Sequence, residues 1–379
     1  MSEKLIIRNF GPITNVELDL RKVNVLIGDQ GTGKSIVAKI LIAVKNSIFI
    51  DFADLPEDEF VDKGTQKFLQ LLKLVGLSNF LQKDTEIIYK HPFDYRLEFK
   101  NEKVLLISKP FSDIESQVFK FNYIPAERNM VSVLADSLYA LLEVKAELPT
   151  LFLRFGNLYQ AARKSKEKFD YDDILGISFT HKNGRDYVLI PDGNEINLSD
   201  SSSGIQGGIA LLSVFDYVVS KNKEYELDFT DYHLLVIEEP ELNCFPETQN
   251  KLMNYIIQNN KIQVENNVSP NMVTDLMNNQ LLFTTHSPYI LTSLNNLMYA
   301  HEVGKMYPDE AEKVIERKYW LNPNDVSAYE LKKDGTCEDI FDREESLIKA
   351  EKIDDISTVL NKDFNKLINI EIGLVDEKH

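Results

Sequence analysis

Residues 22–35 read KVNVLIGDQGTGKS, and the fold turns on how that stretch divides. KVNVLIG is a short apolar, β-branched run of the kind that makes a strand buried on both faces. GDQGTGKS fits the spacing G-x-x-x-x-G-K-[ST], with Gly28, Gly33, Lys34 and Ser35 at the fixed positions. IVAKILIAVKNSIF then has helical spacing. A glycine-rich turn can match this pattern by chance, but a strand before it and a helix after it are the context that a phosphate-binding loop demands. Glycines let backbone N–H groups wrap phosphate oxygens, and the new helix adds its positive N-terminal end. Gly28, Asp29, Gln30, Gly31, Thr32, Gly33, Lys34, Ser35 and Ile36 are therefore candidate nucleotide-binding residues. Lys34 would reach the β and γ phosphates and Ser35 would ligate Mg²⁺.

On the N-terminal side, KLIIRNFGPITNVELDL alternates about an FGP turn, as paired strands do. On the other side, DFADLPEDEFVDKG reads as acidic loop and helix. YRLEFKNEKVLLISK reads as a hairpin turned on KNEK, and FNYIP as a strand ended by proline. NMVSVLADSLYALLEV and LFLRFGNLYQAARKSKEKF have helical spacing and predict a compact helical insertion over 129–170, too short for long coiled-coil arms. ILGISFTHKNGRDYVLI carries an NG turn between strand-like runs. SSSGIQGG at 201–208 has the composition of a linker, yet runs directly into the apolar IALLSVFDYVV. Strands alternating with helices predict an α/β fold with a mostly parallel sheet.

Two strand ends carry further chemistry. LLVIEEPEL at 234–242 is a buried strand that delivers Glu238 and Glu239 at its C-terminal end. In open α/β sheets ligands sit at that edge, and two adjacent carboxylates there are costly unless they face a cation or water. Glu238 is assigned to the magnesium shell and Glu239 to the attacking water as general base. The blander reading is an acidic pair capping the next helix. QLLFTTHSP at 280–288 ends a strand on His286, placed to hydrogen-bond a γ-phosphate or the attacking water.

Composition sets the bounds. The chain has 379 residues, 43% apolar and 27% charged, with a formal net charge of −18. That suits a globular protein with one large core or more. It excludes nucleic-acid binding by overall field, though RKSKEK at 163–168 could form a local basic face. The blander reading of that stretch is a solvated helix face. No apolar run has the length of a membrane span, and MSEKLIIRNFG lacks a signal-peptide core. Cys244 and Cys337 form no metal-ligand spacing, and a reducing cytoplasm is the simplest reading.

In order, the phosphate loop, SSSGIQ, the acid-ended strand with PEL behind it and TTHSP resemble the ABC-type ATPase heads. IRNFGPI, YIPAERN at 123–129, IEEPELNCFPETQ, TTHSPYIL and WLNPNDVSAYEL resemble the OLD-like AAA family ATPases of bacteria. The resemblance covers essentially the whole chain. It implies a P-loop NTPase of the ABC-ATPase type with an antiparallel N-terminal sheet beside the parallel one. The expected divisions are lobe I with Walker A over 1–128, the insertion over 129–170, lobe II with signature, Walker B and switch histidine over 171–310, and a C-terminal helical extension over 311–379. The resemblance also implies hydrolysis of ATP with Mg²⁺. Two subunits would pair head to tail, with Ser203 and Gly204 of one meeting the γ-phosphate held by Gly33 and Lys34 of the other. Higher oligomers could follow from that pair.

The chain departs from the family in three places. Glu238 stands where aspartate is usual. Asn243-Cys244-Phe245-Pro246 stands where relatives often carry a histidine. The magnesium-sensing glutamine is not evident, and Glu127 or Arg128 of YIPAERN is its candidate substitute. No Toprim or HNH nuclease pattern follows TTHSP, so the resemblance implies a stand-alone head acting with a separately encoded nuclease or toxin in antiphage defence. The alternatives are a DNA-acting repair or maintenance ATPase of the SMC/OLD type, and an ATP-binding scaffold with scarce turnover. A membrane-transporter ATPase does not fit the N-terminal and tail motifs.

Overall fold

The computed structural model describes residues 3–48, 57–91, 96–106, 119–134, 148–190, 193–224, 232–260 and 279–349. The expected helix across 135–144, the polar spacer at 261–278 and the tail beyond 349 lie outside them. The centre is a six-stranded sheet in the order β15(Cys337–Asp339), β14(Val326–Leu331), β3(Val23–Ile27), β13(Asn279–Thr285), β12(Tyr232–Glu238), β7(Phe119–Ile124). Every pairing from β14 to β7 is parallel, and β15 turns back antiparallel on β14. The P-loop helix, Lys34–Ile48, follows β3 directly.

Strand periodicity explains how this sheet acquires two cores. Successive residues of a strand point to opposite faces. Val25, Leu235, Ile237, Leu281 and Phe283 thus join one hydrophobic cluster, with the helices Ser203–Glu224, Pro246–Asn259 and Pro288–Gly304. Leu26, Leu234, Val236 and Leu282 join the other, with the P-loop helix, the helix Glu57–Leu74 and the N-terminal sheet. That second sheet is antiparallel, in the order β2(Ile13–Leu20), β1(Glu3–Phe10), β4(Leu81–Lys90), β5(Arg96–Lys100), β6(Lys103–Leu106). Its β5–β6 turn is Asn101-Glu102, both at positive φ as a type I′ turn requires. A third sheet, in the order β11(Glu195–Asn197), β10(Arg185–Leu189), β9(Ile177–Lys182), β8(Lys168–Tyr171), carries the Asn183-Gly184 turn.

Three expectations need correction. The insertion is not helical to 170: its second helix ends at Ala162, and Lys168–Tyr171 pairs with β9. The alternation of Phe169 and Tyr171, both buried, wins over the charged composition around them. The segment 311–379 is not a helical extension where described. After the helix Pro308–Val314 comes β14, a parallel strand at the heart of the sheet, then β15, β16(Phe341–Asp342) and β17(Leu347–Ile348). Finally, Ser203–Lys221 is long and apolar enough to cross a membrane by length and composition. Ile209–Leu212, Val214 and Phe215 are wholly buried within the domain, so it serves as a core helix.

A buried polar cluster fastens the N-terminal sheet to the far end of the P-loop helix. Lys45 Nζ lies 2.6 Å from Glu3 Oε1 and donates to Gln280 Oε1 at 2.7 Å. Gln280 Nε2 donates to Glu3 Oε2 at 2.6 Å, and the Tyr89 hydroxyl to Glu3 Oε1. Burial alone would raise the Glu3 pKa, but Lys45 and Tyr89 hold it below the usual carboxylate range. Lys45→Met leaves Glu3 as a buried charge without its cation, and should cost about 3–5 kcal/mol in urea unfolding. Burial also lowers the neighbouring His91 from 6.5 to about 4. In that window the unfolded chain binds the extra proton, so stability should fall as pH drops from 6.5 towards 4. His91→Phe should flatten that part of the pH–stability curve.

Candidate nucleotide site

Because β3, β13, β12 and β7 run parallel, their C-terminal ends share one edge, and the sequence-predicted residues meet there. β13 lies between β3 and β12, with Thr285 opposite Ile27 and Glu238 opposite Thr284. That register sets His286 between the phosphate loop and the acidic pair. Lys34 Nζ is 3.4 Å from His286 Nδ1, and His286 Nε2 is 3.4 Å from Glu239 Oε1. The Lys34 ammonium also donates to the carbonyls of Gly28 at 2.7 Å and Asp29 at 2.9 Å. Burial lowers its pKa, and Glu239, Glu241, Asp29 and Glu238 pull in the other direction. It is a cation in a partly dry, acid-lined site, ready to exchange carbonyl oxygens for phosphate oxygens.

The loop itself needs its glycines. Gly28 has φ +152°, and a Cβ there would lie 2.3 Å from the Leu331 carbonyl oxygen of β14. The β14–β15 turn therefore closes against the loop, and Lys333 pairs with Asp29 at 2.8 Å. Thr32 Oγ1 donates to the Asp29 carbonyl. Gln30 is exposed, while Ser35 is half-buried at the helix start. Ile36 packs its side chain against the second core, so only its backbone faces the loop's task.

At the end of β12 the two glutamates diverge. Glu238 is buried, and its Oε1 has no hydrogen-bond partner among the described residues. An orphaned buried carboxylate oxygen of this kind fits a cation site. Burial and the adjacent Glu238 carboxylate push the Tyr123 phenol, at the end of β7, well above its usual range. Glu239 takes the left-handed conformation, φ +43°, and donates its N–H to the Thr284 carbonyl at 2.8 Å. This turns its side chain from the line of the strand towards His286.

The sequence reading missed Glu241. Its Oε1 accepts from both the Thr285 hydroxyl and the His286 N–H at 2.7 Å, fixing the backbone at His286. The E in PEL was its only signal. Arg128, one of the two candidates for the magnesium-sensing position, is buried and directs its guanidinium to backbone carbonyls of residues 238–240. Glu127 is exposed.

SSSGIQGG is no linker. Ser203 opens the helix Ser203–Glu224, and the apolar run is the rest of that helix. A Cβ on Gly204 would lie 2.5 Å from the Asn243 carbonyl oxygen, so the helix start rests on the turn behind Glu239. Gln206 Nε2 donates to the carbonyls of Ser199 and Ser201, pinning the serine segment. Ser203 stays exposed. In RKSKEK, Arg163 turns inward to Asp186 at 2.8 Å, which removes it from any basic face.

Residues 1–173 and 155–291 match the family model described as AAA ATPase domain. No curated protein matches the chain. Solved structures similar to it include the SMC head domain from Thermotoga maritima, at 12% identity and TM-score 0.34, covering 77% of this chain and 92% of that one. The recombination mediator protein RecF with ATPrS is 10% identical, with TM-score 0.37 and coverage of 89% and 98%. The Smc head from Pyrococcus furiosus bound to the C-terminal domain of ScpA is 9% identical, with TM-score 0.35 and coverage of 94% and 98%.

Lys34→Ala removes the ammonium enclosed by the Gly28 and Asp29 carbonyls, which a phosphate group would meet. ATP affinity measured by isothermal titration should fall roughly 10- to 100-fold, the worth of a hydrogen bond to a charged group. The melting temperature should change little, because Lys34 gives up two loop carbonyls and the His286 contact while both hydrophobic cores stay intact.

Proposed function

This chain belongs to the AAA ATPase domain family, and on that premise we propose that it binds and hydrolyses ATP as a dimerising switch. The observation that carries the proposal is the run Lys34, His286, Glu239: Lys34 opens the helix after the phosphate loop, His286 and Glu239 follow the ends of β13 and β12, and His286 lies 3.4 Å from each of the other two. Water attacks the γ-phosphorus, its proton passes to Glu239, and the bond to the β-phosphate oxygen breaks, leaving ADP and phosphate. His286 donates or accepts at the γ-phosphate or the water, and Lys34 offsets charge on the β and γ oxygens. Glu238 and Ser35 would hold Mg²⁺, which supplies further charge neutralisation when bound.

The second face of the nucleotide comes from another copy. Ser203 and Gly204 offer a hydroxyl and backbone N–H groups at the start of a long helix, which suits an anion, and Ser203 is free at the surface. Head-to-tail pairing would place them on the partner's γ-phosphate, so ATP would hold the dimer and hydrolysis would loosen it. The motifs resembling OLD-like heads support a further reading: the switch governs a separately encoded nuclease or toxin in antiphage defence.

Glu239→Gln keeps the binding groups and removes the base. It should bind ATP, lose turnover by about 10²–10⁴-fold and sediment as a dimer with ATP. A variant that binds ATP yet stays monomeric would sink the sandwich. Ser203→Arg should leave ATP binding nearly intact and abolish turnover by blocking the partner's γ-phosphate face. Mixed with Lys34→Ala, it forms dimers with one doubly defective and one unaltered site. Activity should return, up to about half per mixed dimer if sites act independently. Wild-type turnover by Ser203→Arg alone would refute a role in trans.

A further inference from the structure

Arg128 is the largest fully buried side chain of the protein's described residues, and it carries a charge. It sits in the turn Ala126–Asn129 that follows β7 and Pro125. Its hydrogen-bond acceptors are all backbone carbonyls. Nη1 donates to Glu238 O at 2.7 Å and Pro125 O at 3.3 Å. Nη2 donates to Glu239 O at 2.7 Å and Pro240 O at 3.4 Å. Burying a guanidinium against carbonyls rather than a carboxylate is costly, so what it holds matters.

It holds strained backbone. Glu239 is a non-glycine residue at φ +43°, a conformation that L-residues rarely adopt. The Glu239 N–H is tied to Thr284 and its carbonyl to Arg128, so the residue is fixed on both sides. Charged donors make the stronger hydrogen bonds, and the fork of a guanidinium reaches two successive carbonyls as an ammonium cannot. From the short helix Met130–Leu134 that follows this turn, Ser132 Oγ lies 2.8 Å from the Asn129 carbonyl and 2.9 Å from Gln206 Oε1, its one proton serving either. Gln206 in turn holds the Ser199 and Ser201 carbonyls. The turn therefore grips the end of β12, and the helix that follows it grips the serine segment.

Resting on the ATPase reading above, we infer that Arg128 is a positioning residue for Glu239, and that Ser132 and Gln206 extend the same clamp to the segment carrying Ser203. Arg128 touches no reacting atom. It sets where the base stands, and a base displaced by about 1 Å can cost about 10²-fold in rate.

The test compares Arg128→Lys, Ser132→Ala and a matched control, Arg163→Lys, in the full chain. Arg163 is also buried, but it is ion-paired to Asp186 in another sheet. Arg128→Lys should bind ATP within about twofold of wild type by titration and still dimerise with it, while kcat falls about 10- to 100-fold. Ser132→Ala should move kcat the same way by about 3- to 10-fold, with KM unchanged. Arg163→Lys should lower the melting temperature and leave kcat alone. Wild-type kcat in Arg128→Lys overturns the inference, as does an equal kcat loss in the control or a fall in ATP affinity matching the fall in rate. If Arg128→Lys does not fold, Ser132→Ala decides: unchanged kcat overturns the clamp. Failure of wild-type protein to bind ATP is seen in the same titration. That outcome defeats the ATPase reading itself, whereas normal binding and turnover with insensitive variants defeats the clamp alone.

Discussion

The Lys34 ammonium lies against the Gly28 and Asp29 carbonyls on one side and the His286 ring on the other, with Glu239 beyond the ring. A buried ammonium is costly unless hydrogen-bonded, and its partners come from both the loop and the end of β13. The loop must curl so that its carbonyls face Lys34, which needs glycine at Gly28 under the Leu331 carbonyl. β13 lies beside β3 with Thr285 opposite Ile27, which brings His286 to the loop. β12 must lie beyond β13, so that the carboxylates approach the ammonium through the histidine without collapsing onto it as a direct ion pair. A closed Lys34–Glu239 pair would compete with phosphate for the lysine. The interposed imidazole keeps both charges near and both available.

The acids around that cation are held by different means, which separates their chemistry. Glu238 continues the strand and stays buried, with an oxygen left for a cation. Glu239 is swung out by a left-handed residue and kept there by Arg128. Glu241 spends one oxygen on the Thr285 hydroxyl and the His286 N–H, which fixes the histidine's backbone, while its other oxygen is buried without a partner among the described residues. Three glutamates within four residues thus acquire three environments from backbone direction alone.

How much of this was legible beforehand follows from the range of each signal. The phosphate loop, the acid-ended strand and the two I′ hairpins rest on spacing within a few residues, and turn chemistry at Asn183-Gly184 needs no distant partner. The helix opening at Ser203 was legible for the same reason, since an apolar run cannot be left in water. β14 was not. Its pairing with β3 joins residues some three hundred positions apart, as Ala328 does with Val25, and its short run VSAYEL is buried on both faces without an alternation to announce it. Arg128 was seen, but its contacts were not legible. Its partners are carbonyls, which every residue has, so no pattern of side chains could announce them. Glu241 stood inside a recognised motif, yet its role depends on β13 arriving alongside, which only the sheet order decides.

The contact between Gly204 and Asn243 carries the synthesis one step further. The start of the Ser203 helix rests on the turn that follows Glu239, at a separation no side chain could enter. The 126–132 segment joins the same two segments from another direction, through Arg128 and through Ser132 with Gln206. Two independent connections between Glu239 and the serine segment favour their shifting together, because packed interiors shift between discrete arrangements and do not stretch. In a head-to-tail pair of the kind proposed, the two would together touch two nucleotides at once: the chain's own through Glu239, and the partner's through Ser203. Loss of the γ-phosphate at one site would then shift the base at the other without any longer pathway, since the residues that sense one nucleotide and those that attack the other are the two ends of a single clamp.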